Sequence, residues 1–222
     1  VPGLPGVPGQ HVEQVGELGA DLSDLFNVLT GYARQPRYRR LVVAPNGFRR
    51  RILELIAREA AAEDGHIALK LNAVVDPELI DALYAAAATG TRVDLLVRGI
   101  CGLRPGVPGL SEGVRVRSIV GRYLEHSRIY RFGTPTRGQD WLIGSGDLMP
   151  RNLDRRVEAL APVTDPALVG RLQEVLDVAW ADDLLAWELG PDARWHRVAA
   201  RTGVDAHLTL QERARRRARS AA

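Results

Sequence analysis

An α/β fold with a mixed, largely parallel sheet flanked by helices is predicted from three observations. Apolar runs of strand length recur at 40–44, 66–71 and 92–97. Two segments of helical spacing, 48–63 and 76–89, separate them. The links are short, which implies right-handed crossovers between parallel strands. The chain has 222 residues and is 45% hydrophobic. That suffices for one well-buried domain plus appendages.

Residues 1–20 begin Val-Pro-Gly-Leu-Pro-Gly-Val-Pro-Gly-Gln. Proline and glycine at this density oppose helix and sheet, so a disordered leader is expected there. A short helix follows within 21–36, with apolar spacing at Leu22, Leu25, Phe26 and Leu29 and an end at Thr30-Gly31. It is too short to stand free and reads as a remnant of a preceding domain. The main domain is expected over 37–190. Its first strand, 40–44, closes at Pro45-Asn46-Gly47. In the first helix Ile52, Leu55, Ile56 and Glu59 share a face. Asp76 and Pro77 open the second helix as N-cap and first-turn residue; it stops at Gly90. Further strands are expected at 114–120, 127–132, 141–143 and 157–163, with a polar loop at 134–139. Asp165-Pro166 opens another helix, which 181–187 extends or follows, and 195–198 is a short edge piece. Residues 191–222 form a basic extension, helical from 206, that packs on the domain or trails from it. No aromatic residues interleave with the arginines of 206–222, so a solvated helix is favoured over a nucleic-acid contact.

The formal net charge is +3, and Lys70 is the only lysine among 30 basic residues. Inside the apolar run Ile67-Ala68-Leu69-Lys70-Leu71 it either snorkels at a strand end or faces an anion. Cys101 is the only cysteine, which excludes an internal disulfide and a cysteine-rich metal site; it reads as a small buried filler rather than a nucleophile. No run of about 18 apolar residues suggests a membrane span. The expected compartment is the cytoplasm, with association to a membrane surface left open.

The chemistry gathers in 116–158. His126 sits where a turn enters a strand, a second strand delivers Gly144-Ser145-Gly146-Asp147, and Arg151, Arg155 and Arg156 follow at once. Arg98 ends the third strand of the parallel set, where open α/β sheets bind ligands. An imidazole, a hydroxyl, a carboxylate and several guanidiniums suit a phosphate ester or anhydride, because arginine offers paired donors to phosphate and histidine carries protons or phosphoryl groups near neutral pH. Blander alternatives stand beside this reading. His126 can be a core histidine paired with a carboxylate. Ser145 and Asp147 can bond the backbone of a tight turn, and the arginines can pair locally with Asp154 and Glu158.

Four stretches carry a family resemblance: Ala68-Leu69-Lys70-Leu71-Asn72, Leu95-Leu96-Val97-Arg98-Gly99-Ile100-Cys101, Arg117-Ser118-Ile119-Val120-Gly121-Arg122-Tyr123-Leu124-Glu125-His126-Ser127-Arg128, and Gly144-Ser145-Gly146-Asp147-Leu148-Met149-Pro150-Arg151-Asn152-Leu153-Asp154-Arg155-Arg156-Val157-Glu158. Over roughly residues 20 to 200 the chain resembles the carboxy-terminal part of the long polyphosphate kinases. That family's catalytic half holds two phospholipase-D-like domains, patterned H-x-K and then G-S-x-N or G-S-x-D. His126-Ser127-Arg128 stands for the first part, with Arg for Lys, and Gly144-Ser145-Gly146-Asp147 for the second. The resemblance implies a phospholipase-D-like domain, the second of the two. It implies ATP-binding roles for Arg98 and His126, with His126 also a proton donor. Lys70, Arg128, Arg151, Ser145 and Asp147 are further candidates for phosphate contact. ATP and polyphosphate are the implied partners, together with the upstream half of the enzyme or another copy in an oligomer. Mg2+ is implied with ATP, with no ligand for it placed here. The family's phosphorylated histidine belongs to the first domain, so the expectation is a part that contributes binding and acid groups. Two other readings remain: an inactive anion-binding module, and a single-motif homodimeric phosphotransferase or phosphodiesterase with His126 as nucleophile.

Overall fold

The structure, a computed structural model, describes residues 8–34 and 37–220, with side chains from Gly16 onward. Among these residues the elements in order are α1 (Pro8–Leu29), β1 (Val42–Val43), α2 (Phe48–Ala60), β2 (His66–Leu71), α3 (Pro77–Ala88), β3 (Arg92–Val97), β4 (Val114–Ile119), β5 (Ile129–Thr134), β6 (Gly138–Gly144), α4 (Pro150–Arg155), β7 (Ala159–Pro162), α5 (Pro166–Ala181), β8 (Ala186–Leu189), β9 (Trp195–Arg197) and α6 (Ala206–Ser220). The strands form one sheet in the order β1-β7-β6-β5-β2-β3-β4-β8-β9.

The sheet is mixed, but the expectation that it is largely parallel is wrong. Only β2 with β3 and β3 with β4 run parallel among the described ladders. The others are antiparallel. Parallel neighbours need a long crossover, which α3 and the segment 98–113 supply. The first predicted crossover fails because α2 carries the chain from β1 past three strands, β7, β6 and β5, to β2. β1 shrinks to two residues and pairs antiparallel with β7 at the sheet edge. The loop expected at 134–139 is mostly the tip of a β5–β6 hairpin, where Gly133 (φ 100°) and Gly138 (φ 94°) adopt backbone that only glycine takes easily.

Both faces of the sheet are covered. Ile67, Leu69 and Leu71 of β2 and Val93, Leu95 and Val97 of β3 pack under Phe48, Ile52, Leu55 and Ile56 of α2 and Leu79 and Leu83 of α3. On the opposite face Ala68, Leu96, Ile129 and Trp141 meet Leu176, Val178 and Ala179 of α5 and Ala206 of α6. Strand residues alternate between faces, so Lys70 belongs with the second set. Burying each large side chain contributes about 1.5–3 kcal/mol. At α3 the expected cap is present: Asp76 Oδ1 accepts from the Leu79 amide at 3.1 Å. α5 ends at Ala181, and the segment after it turns into β8 rather than more helix.

The amino-terminal end of the described residues departs from expectation. Helix α1 begins at Pro8, inside the stretch read as a disordered leader; residues 1–7 of that stretch lie outside the described residues. Proline is tolerated in a first helical turn. A tertiary anchor that composition cannot show holds the helix. Asp21 is fully buried and accepts from the amides of Arg39 (2.9 Å), Arg40 (2.6 Å) and Leu41 (2.9 Å) and from Arg39 Nη1 (3.0 Å). Burial opposes its charge, but these donors hold its carboxyl below the usual range. At the other end β9 adds the short edge piece expected at 195–198 to the sheet. α6 lies against α5, where Glu174 pairs with Arg213 at 2.8 Å and Arg217 at 2.9 Å. No helix among the described residues is long and apolar enough to cross a membrane.

Candidate functional site

The site forms at one end of the sheet, where β2, β3 and β6 finish and β5 begins. Asp147 is its brace. The residue is 4% exposed. Oδ1 accepts from the amides of Asn72 (2.7 Å) and Ala73 (3.3 Å), and Oδ2 accepts from Arg128 Nη2 (2.9 Å). The turn after β6 is thereby tied to the end of β2. Tyr130 is fully buried and donates to the Gly146 carbonyl at 2.7 Å. Burial foremost, and then the charge of Asp147, push its phenol well above the usual range. Glycine is required here: a Cβ on Gly144 would lie 1.9 Å from the Ala159 carbonyl oxygen, and one on Gly146 would lie 2.6 Å from the Phe48 ring.

Arg128 has a second role. Its Nη1 donates to the His126 carbonyl at 2.7 Å, so the Asp147 brace also sets the backbone of His126. The imidazole itself is exposed at the rim, which excludes a core histidine. Lys70 is 6% exposed. Its Nζ pairs with Glu125 Oε2 at 2.8 Å and donates to Ser127 Oγ at 2.9 Å. Arg98 stands after β3, and its Nε donates to Asn72 Oδ1 at 2.9 Å. Lys70, Arg98 and Glu125 line one narrow cleft.

These contacts close a circuit. Arg98 is held by Asn72, whose amide reaches Asp147. Asp147 holds Arg128, which holds His126, and the residues on either side of His126 hold Lys70. The charges of Lys70 and Arg128 are met within the protein. The two terminal nitrogens of Arg98 make no hydrogen bond among the described residues, which leaves a fork able to grip an anion.

The structure therefore joins Lys70, Arg98, His126, Arg128 and Asp147. It does not join Ser145 or Arg151. Ser145 is a turn residue, whose Oγ accepts from the Ala159 amide at 3.3 Å and whose amide donates to the Ala159 carbonyl. Arg151 is exposed in the first turn of α4 and makes no ion pair among the described residues. Asp154, a possible local partner for it, is taken by Arg49 at 2.6 Å. Sequence reasoning missed two members, Asn72 and Glu125. Both act through partners more than 25 positions away, and local spacing carries no signal for that. Cys101 is half-buried, and burial pushes its thiol up to about 11. It is a filler and not a thiolate at neutral pH.

Magnesium does not fit as a resident of this site. Both nearby carboxylates, Asp147 and Glu125, are occupied by cations or amides, and no group of three candidate ligands exists among the described residues.

Comparison with known proteins identifies the family. The sequence model described as "Polyphosphate kinase C-terminal domain 2" matches residues 41–209. The polyphosphate kinase of Streptomyces coelicolor is 48% identical over 213 residues, covering 93% of this chain and 28% of that protein. Polyphosphate kinase 1 of Chlorobaculum tepidum is 51% identical over 185 residues, covering 80% of this chain and 26% of that protein. The crystal structure of polyphosphate kinase from Porphyromonas gingivalis superimposes with a TM-score of 0.83 at 32% identity, over 90% of this chain and 32% of that one. The chain thus spans between a quarter and a third of the length of these relatives. A family match across most of β1 to α6, with relatives near half identity, shows that the chain belongs to the polyphosphate kinase family, in the region of that family's C-terminal domain 2.

Proposed function

We propose that this chain is the second phospholipase-D-like unit of a polyphosphate kinase, and that it grips ATP and polyphosphate while another part of the enzyme supplies the phosphorylated histidine. One observation carries the reading: the circuit that leaves the Arg98 fork free in the same cleft as Glu125, next to His126. Phosphoryl transfer needs an in-line nucleophile, positive charge on the equatorial oxygens and a proton for the leaving oxygen. Arg98 meets the phosphate oxygens. The bond from the γ-phosphorus to the bridging oxygen breaks as a phosphorus–nitrogen bond forms on the histidine of the other part. His126, exposed at the rim and held through its carbonyl, gives its proton to the departing ADP oxygen. Magnesium enters as the ATP complex and is part of the substrate. A cytoplasmic location, where ATP is supplied, belongs to the same proposal.

A single-motif homodimer is disfavoured. In that reading Arg128 must face phosphate, but its guanidinium is committed to Asp147 and the His126 carbonyl.

The test is incubation of the chain with γ-labelled ATP and magnesium, alone and mixed with the upstream half of the enzyme. No label on the chain alone, with transfer restored on mixing and weakened by His126→Ala, is expected. Acid-labile label on the chain alone, lost in His126→Ala, would overturn the proposal in favour of the self-sufficient enzyme.

A further inference from the structure

The basic carboxy-terminal helix delivers one side chain back toward the site. His207, in the first turn of α6, is 4% exposed. Its Nδ1 accepts from the Tyr123 amide at 3.2 Å. Its Nε2 is buried with no hydrogen-bond partner and lies 4.0 Å from Glu125 Oε2, the oxygen that pairs with Lys70. The Tyr123 ring leans on the imidazole, with centroids 5.4 Å apart. These groups all belong to the loop that carries His126.

Two independent features make this approach specific. First, the helix start is rigidly placed. Asp182 Oδ2 accepts from the Ala206 amide at 2.6 Å, and Asp182 Oδ1 accepts from the Leu185 amide at 2.7 Å. Asp183 accepts from the amides of Thr202, Arg201 and Val204 and from the Thr202 hydroxyl, and these donors, the Thr202 amide foremost, hold its carboxyl well below the usual range. Second, the loop is shaped to receive the ring. A Cβ on Gly121 would stand 2.7 Å from His207 Nδ1 and 2.6 Å from Leu185 Cδ1. Glycine at 121 therefore permits the contact.

We infer that His207 is a positioning residue for His126. A ring nitrogen that accepts from an amide carries no proton, so the proton of the neutral imidazole is on Nε2. That nitrogen lies 4.0 Å from Glu125 Oε2, too far for a hydrogen bond. The ring thus holds the loop backbone at Tyr123, three positions before His126, through its Nδ1. A buried, oriented support of this kind fixes a reacting group within a fraction of an ångström, and a misplacement of that group lowers turnover. The catalytic consequence rests on the phosphotransfer reading, but the tautomer does not.

Three arms test the inference. Long-range imidazole nitrogen spectra of the chain itself should show His207 as the Nε2–H tautomer at neutral pH. A protonated Nδ1 there would overturn the inference whatever the enzyme's activity. In the enzyme reassembled with its upstream half, His207→Leu should lower kcat on the order of tenfold. KM for ATP should change little, since Arg98 is untouched. His207→Asn, which can return an acceptor to the Nδ1 position, should recover most of the loss. Wild-type kcat in His207→Leu, or Asn no better than Leu, would sink the idea. If His207→Leu does not fold, Gly121→Ala reaches the same contact from the loop side and should lower kcat likewise; unchanged kcat there overturns it. An inactive wild-type reassembly counts against the phosphotransfer reading alone, and the tautomer still decides this one.

Discussion

Replacing Asp147 by alanine removes the acceptor for two backbone amides and the counter-ion of Arg128 in one step. The side chains of Asp147 and Arg128 are 6% and 18% exposed, and Arg128 Nε is already buried without a partner. Breaking such a pair from one side costs about 3–5 kcal/mol, because a charge is left buried and alone. The amides of Asn72 and Ala73 add about 1–3 kcal/mol where water cannot replace the acceptor. The terms overlap, so a loss of about 4 kcal/mol is expected. For a chain of this size that is roughly 8–16 °C in Tm. Asp147→Asn keeps the acceptor for the amides and should lose about half as much, some 2 kcal/mol. Urea and thermal unfolding of the chain measure both. The double variant Asp147→Ala with Arg128→Met is the decisive arm. It leaves no orphan charge and should be more stable than Asp147→Ala alone. A loss below about 1 kcal/mol in Asp147→Ala, or a double variant less stable than the single, would refute the bracing role.

Three other outcomes follow from the same geometry. Arg98→Lys should weaken binding of a non-hydrolysable ATP analogue by roughly tenfold or more, since the paired fork is lost while the charge remains; an unchanged Kd by calorimetry would remove Arg98 from the phosphate contact. Asp21 has a folded pKa depressed below 3.8. Its contribution is therefore present above that value and lost as pH falls through the folded pKa. Asp21→Asn should flatten that part of the acid limb of stability against pH, and an unaltered limb would show that the carboxylate does not anchor α1. Gly144→Ala drives a Cβ to 1.9 Å from a backbone oxygen of β7 and should destabilise by at least about 2 kcal/mol, read by denaturant midpoint; a neutral effect would mean that the β6–β7 ladder yields easily.

Much of the architecture was legible because local chemistry specifies it. Strands β2 and β3 begin and end where their apolar runs do, and α3 starts where Asp76 and Pro77 place it. Strand partners were not legible. The apolar run at 40–44 marks a strand but carries no information on its neighbour, and the sheet edge it occupies is set by β7, more than 100 positions away. The start of α1 was missed for the same reason: a proline-glycine composition is local, whereas Asp21 is secured by amides 18 to 20 positions later.

The sequence by itself determined the family, the strands and helices of the central fold, and the chemical class of the site, because a resemblance of this length and the residues at strand ends are read one position at a time. Tertiary structure alone decided which of those residues work together. It made Asp147 a brace and Ser145 a turn residue, set Glu125 against Lys70 and Asn72 against Arg98, left Arg151 apart, and brought His207 from the tail under the His126 loop. Each of those decisions is a pairing between side chains or amides distant in sequence. Such pairings depend on how the sheet orders its strands, and residue spacing does not encode that order.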